Sequence, residues 1–146
     1  MKNFSSQELK ALREKLITKN LACVVVKPDS TEIEISGAGI VPTINLLEAG
    51  DFDEATVIDK IIGKAAAILM TLGRVCYVHG IVMSQSAADW LTQAGIPFSY
   101  DTLVPYIINR TNTGVCPMEE TVKFIADAEL ALKALKRKVE ELRAKN

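Results

Sequence analysis

Two short segments concentrate the residues able to do chemistry. The first is Asp59-Lys60-Ile61-Ile62-Gly63-Lys64. Read as the opening of a helix over Ile61–Leu72, it sets Lys60 and Lys64 four apart on one face, where like charges repel. It puts a cation near the positive end of the helix dipole. It also places Gly63 within the helix, at a cost of about 1 kcal/mol relative to Ala. Such conflicts with local rules tend to mark function or close packing. The chemistry they would serve is capture of a small polar or anionic ligand. Asp59 would cap and orient, the two ammonium groups would neutralise, and Gly63 would admit close backbone approach. The plain alternative is a solvated lysine face beside a closely packed glycine.

The second segment is Thr113-Gly114-Val115-Cys116-Pro117-Met118-Glu119-Glu120. Pro117 suits the first position of a helix, which makes Cys116 its N-cap. Glu119 then stands where a capping-box carboxylate would. A thiol at a helix N-terminus can be acidified, so Cys116 is a weak candidate nucleophile, opposed by Glu119 and Glu120. A small cap residue is the simpler reading. Asn109 and Arg110, just upstream, could add polar contacts or be plain loop.

Other chemistries are poorly supplied. A catalytic zinc needs about three protein ligands, and the chain has one His and no C-x-x-C pair. His79 sits in an apolar run and reads as a packed histidine. No G-x-S-x-G elbow accompanies it. No phosphate-binding or dinucleotide glycine fingerprint is present. No metal and no cofactor are therefore expected.

The elements that must position these residues follow from hydrophobic periodicity. Ser5 or Ser6 caps a helix to Asn20, with Leu9, Leu12 and Leu16 on one face. Leu21–Lys27 is a buried strand and Thr31–Ser36 a more exposed one, joined as an antiparallel hairpin. A short helix covers Pro42–Ala49, ahead of an acidic loop at Asp51–Glu54. Ala55–Ile58 is extended or already helical. Arg74–Met83 is a central strand. Ser84, Gln85 or Ser86 caps a helix to Ala94, stopped by Gly95, and Ile96–Tyr100 is a further strand. Leu103–Asn109 is ambiguous, because Pro105 disfavours a central strand. Pro117 opens a long helix to the C-terminus. A hairpin followed by βα units implies an α/β fold with a mixed sheet and helices on both faces.

Composition bounds the rest. The 146 residues carry 17 basic and 18 acidic side chains, a net charge of −1. That balance argues against binding nucleic acid by bulk charge. No apolar run is long enough to span a membrane, and the polar N-terminus has no signal-peptide core. Three scattered cysteines suit a reducing, cytoplasmic setting better than a disulfide framework. The last helix carries Ile125, Ala128, Leu132, Leu135, Val139 and Leu142 at 3-4 spacing. That seam would pack on the chain's own domain, with the Leu9-Leu12-Leu16 face as a partner, or pair in a homodimer. The dimer is the favoured expectation. We therefore divide the chain into a domain over residues 1–120 and a helical extension over 121–146.

The runs LACVVVK, VIDKIIGKAAA, RVCYVHGIVMS and LVPYIINR, with the turn TGVCPME, resemble an uncharacterised bacterial domain-of-unknown-function family grouped with the cytidine deaminase-like superfamily. The resemblance covers roughly residues 21 to 119. It implies a three-layer α/β/α sandwich with a mixed sheet, and a ligand pocket lined by two helix N-termini. The zinc motifs of that superfamily, H-x-E and P-C-x-x-C, are missing. Asp59-Lys60 and Ser84 to Ser86 stand in their neighbourhoods. The resemblance thus implies a nucleotide-like ligand near Asp59, Lys60, Gly63, Lys64, Ser84 and Ser86, and no zinc-dependent deamination.

Overall fold

A computed structural model describes residues 5–37, 39–108, 114 and 116–144. Asn109 and Arg110 lie outside the described residues, as do residues 111–113 and 115. Among the described residues the chain folds as α/β, with six helices and one five-stranded mixed sheet.

Helix α1 (Ser6–Thr18) opens with the expected capping box. The Ser5 hydroxyl accepts from the Glu8 N–H, and the Glu8 carboxylate accepts from the Ser5 N–H. Strands β1 (Cys23–Val26) and β2 (Glu32–Ile35) form the antiparallel hairpin. Helix α2 (Val41–Glu48) carries Pro42 in its first turn. Strand β3 (Thr56–Ile62) and helix α3 (Lys64–Leu72) follow, then β4 (Tyr77–Ser84), α4 (Gln85–Ala94) and β5 (Phe98–Val104). Gly95 ends α4 at φ +75°, a left-handed cap that suits glycine. The sheet order is β2-β1-β3-β4-β5; β1 runs antiparallel to β2 and β3, while β3, β4 and β5 are parallel.

Two expectations are corrected here. Ile61 and Ile62 belong to a strand, not to a helix, and Asp59 and Lys60 precede α3 within that strand. The β-branched residues Thr56, Val57, Ile58, Ile61 and Ile62 suit a strand flanked by β1 and β4. Only the intervening Asp59-Lys60 pair broke that apolar signal. The final helix is also broken: α5 (Pro117–Val122) ends before α6 (Ala128–Ala144) begins. Asp127 accepts from the Leu130 N–H at 2.9 Å and so starts a new helix.

Successive strand residues face opposite sides, and the two sides carry separate hydrophobic clusters. Leu12 and Leu16 of α1 pack with Leu21, Val24 and Ile58 on one. Cys23, Val25, Val57 and Val78 join α2, α3, α4 and α6 on the other. Helix α3 is buried from Ala65 through Met70, as befits a helix with neighbours on every side. Helix α6 lies on α3, with Ala131, Leu135 and Val139 buried. Its seam is thus used within the chain, on α3 and not on the α1 face. The observation that favoured a homodimer is accounted for internally. Among the described residues no helix is long and apolar enough to cross a membrane.

His79 is 2% exposed on the α1 side of β4. Its Nδ1 lies 2.6 Å from the Ser99 hydroxyl and its Nε2 lies 3.1 Å from Asp101. Asp101 is held by Arg13 of α1 at 2.6 Å, and the Tyr77 hydroxyl donates to Ser99 at 2.7 Å. The packed histidine of the sequence reading is therefore a buried polar link between α1 and β5. Burial lowers its pKa, Asp101 raises it and Arg13 lowers it further. With the folded pKa depressed, the unfolded chain takes up the proton first, and stability falls as pH drops below about 6.5. His79→Gln should flatten that acid limb in urea titrations at pH 5 to 7; an unchanged slope would contradict the assignment.

Candidate functional site

A cleft of about 770 Å³ opens at the carboxyl end of β3. There β3 meets an antiparallel neighbour on one side and a parallel one on the other, the kind of sheet position where α/β folds hold ligands. Ala22 just before β1, Cys23 of β1, Asp59 to Ile61 of β3, and Ala65 and Ala66 of α3 form part of its lining. Helix α2 adds Val41, Pro42, Thr43 and Leu46, and α6 adds Val139, Leu142 and Arg143. Cys116, Pro117, Met118 and Glu119 close another side.

Asp59 is the chemically distinctive group in this cleft. Its Oδ1 accepts from the Ile61 N–H at 3.1 Å. Cys23, its partner across the β1–β3 register, donates its thiol to the same carboxyl. Among the described residues no cation lies within salt-bridge distance of it. Burial pushes the Asp59 pKa up to about 7, against the lowering effect of the Ile61 N–H, the Cys23 thiol and the nearby Lys60 N–H. The Cys23 thiol is pushed well above its ordinary value, first by burial and then by Asp59, so it is a poor nucleophile at neutral pH.

The α3 N-terminus is already filled. Glu119 presents Oε1 to the Lys64 N–H at 2.7 Å and Oε2 to the Ala65 N–H at 2.9 Å. A carboxylate here satisfies two of the unpaired amides and meets the positive end of the helix dipole. Gly63 makes this approach possible, since a Cβ there would lie 2.4 Å from Glu119 Oε1. Burial raises the Glu119 pKa, while the two amide bonds and Lys64 lower it.

The expected site residues are thus only partly gathered. Asp59, Lys60, Gly63 and Cys116 line the cleft. Lys60 and Lys64 do not share a helix face, because α3 begins at Lys64. The Lys60 ammonium donates to Asn20 at 3.0 Å. The Lys64 ammonium donates to the Lys123 carbonyl at 3.2 Å and stands over the Trp90 ring. Ser84 and Ser86 lie 3.2 Å apart at the start of α4 and do not line the cleft. Ser84 is fully buried and caps α4 through the Ala87 N–H at 3.1 Å. Ser84→Ala should cost about 1–2 kcal/mol in chemical denaturation, and a loss below a few tenths would count against the cap. Cys116 is the N-cap of α5, as read, but its own N–H donates to the Ile107 carbonyl at 3.0 Å. Glu119 therefore does not complete a capping box there; it has turned to α3 instead.

Cys23 and Arg143 are cleft residues that sequence reasoning missed, and Glu119 was read only as a cap of its own helix. Cys23 lay in an apolar run and Arg143 on a charged helix. Only the β1–β3 register and the return of α5 and α6 bring them in. Among the described residues no group of three His, Cys, Asp or Glu side chains is placed to hold a metal ion.

The family profile of TM1506, a domain of unknown function (DUF1893), matches residues 11–139. The chain belongs to the DUF1893 family. The crystal structure of a DUF1893 family protein (TM1506) from Thermotoga maritima superposes with a TM-score of 0.84 at 26% identity. The match covers 93% of this chain and 92% of that one. No curated protein matches the chain. Membership of DUF1893 agrees with the domain-of-unknown-function resemblance read from the sequence, and the match runs from within α1 to within α6.

Proposed function

We propose that this DUF1893 chain is a small-molecule-binding domain whose polar ligand sits in the cleft at the end of β3. The scaffold is of the cytidine deaminase-like kind, an α/β/α sandwich used without that superfamily's zinc chemistry. One observation carries the reading: a carboxyl with no cationic partner among the described residues faces an apolar-walled cleft of ligand size. A half-buried ionisable group without a cationic partner in a cleft is costly, and such groups concentrate at functional sites. Glu119 already supplies an anion to the α3 amides, and both lysines are engaged elsewhere. The anion-binding role expected of that helix start therefore passes to the chain itself, and Asp59 becomes the polar anchor for a ligand. A fragment screen followed by amide chemical-shift mapping tests the reading. Hits should perturb Cys23, Asp59, Ile61 and Thr43 together and weaken in Asp59→Asn. Hits that gather elsewhere would refute it.

A further inference from the structure

The charge pattern of the cleft points to a class of ligand, an inference that rests on the cleft reading above. We propose that the cleft takes a compact organic monocation, an amine or amidine on an apolar body, with its charged nitrogen on Asp59.

Two donors reach the Asp59 carboxyl, the Ile61 N–H and the Cys23 thiol, while the nearby Lys60 N–H donates to the Ala22 carbonyl at 2.9 Å. An ionised carboxylate has about four acceptor positions, so room remains for a ligand donor. Neither carries a formal charge at neutral pH, so among the described residues the carboxylate stays electrostatically uncompensated. A bound cation supplies the missing partner in a site whose low polarity strengthens the attraction. The other charged groups around the cleft do not fill this role. Glu119 is bonded to the α3 amides. Lys60 donates to Asn20, and Arg143 donates to Glu140 at 3.4 Å. The cleft residues given by β2 and α2 (Ile35, Val41, Pro42, Thr43 and Leu46) carry no charge. An anionic ligand would meet two carboxylates, Asp59 and Glu119, with the α3 amides already bonded. A cationic one meets an unpaired carboxylate and apolar walls.

The test uses three probes of one shape and different charge, namely benzamidine, benzyl alcohol and benzoate, titrated into the whole chain with amide chemical shifts as readout. Benzamidine should perturb Cys23, Asp59 and Ile61 at pH 8 and bind at least tenfold tighter than the other two. Its affinity should fall roughly tenfold per pH unit below the Asp59 pKa, where its charge meets a protonated partner. The pH series needs no variant, so it stands even if a substitution disturbs the fold. Asp59→Asn should abolish both the preference and the pH dependence. Benzyl alcohol or benzoate binding in the cleft as tightly as benzamidine would overturn the cation class and leave the cleft reading standing. If no probe perturbs the cleft residues, the inference and the reading beneath it fall together.

Discussion

Asp59→Asn is expected to stabilise the protein above pH 7 and leave it little changed at pH 4. In the folded chain Asp59 holds its proton up to about pH 7, whereas the unfolded chain releases it near 3.8. Between those values the folded state binds more protons, so stability falls as pH rises. The burden is complete once pH exceeds the folded value. A shift of this size corresponds to at most about 4 kcal/mol. Asparagine keeps an oxygen to accept from Ile61 and carries no charge to desolvate, so the variant should escape most of that burden. Urea denaturation of both proteins from pH 4 to pH 8 gives the comparison. The difference should grow with pH and level off near 7 to 8. Glu119, also raised by burial, contributes the same trend to both proteins and cancels. A variant less stable at pH 8 would show that the carboxylate has a partner it needs.

Glu119→Ala should destabilise the α3 start by about 2 kcal/mol. Hydrogen bonds to a charged group are each worth more than neutral ones, and their loss strands the Lys64 and Ala65 amides. Relief of the buried charge offsets part of the loss. Glu119→Gln should retain about half, because one amide oxygen can still accept. Gly63→Ala should cost about 1–3 kcal/mol with Glu119 present, since the new methyl overlaps the carboxylate. In the Glu119→Ala background that cost should largely vanish. A double-mutant cycle in denaturant measures the coupling. Additive losses would mean that Gly63 and Glu119 act independently, contrary to their contact.

Much of the fold was readable from periodicity. The β1–β2 hairpin, α2, the β4 and β5 strands, and α4 with its Gly95 stop appear within a few residues of where the sequence puts them. The readable signal failed where a tertiary partner replaced a local one. Asp59 and Lys60 interrupt β3 because Asp59 is matched by Cys23 on the neighbouring strand, a pairing visible only once the register is known. Gly63 looked like a defect inside a helix because its reason, the Glu119 carboxylate, lies 56 residues away in sequence. Glu119 obeyed the local rule for a capping box and then served a different helix. Asp59, Lys60, Gly63 and Cys116 were found as cleft residues because their types were unusual for their places. Cys23 and Arg143 were not, because theirs were ordinary.

The cleft borrows one wall from α6, through Val139, Leu142 and Arg143, and its plug from α5, through Glu119. On the ribosome both segments emerge after the sheet and α3 have been made. Until they do, the nascent chain shows the α3 face that Ala131 and Leu135 will cover, together with two bare amides at its start. Domains fold as they leave the exit tunnel, at about 5–20 residues per second. The cleft is therefore completed only after α5 and α6 have emerged, and a ribosome-stalled chain ending before α5 would lack both the α6 wall and the Glu119 carboxylate at the α3 start.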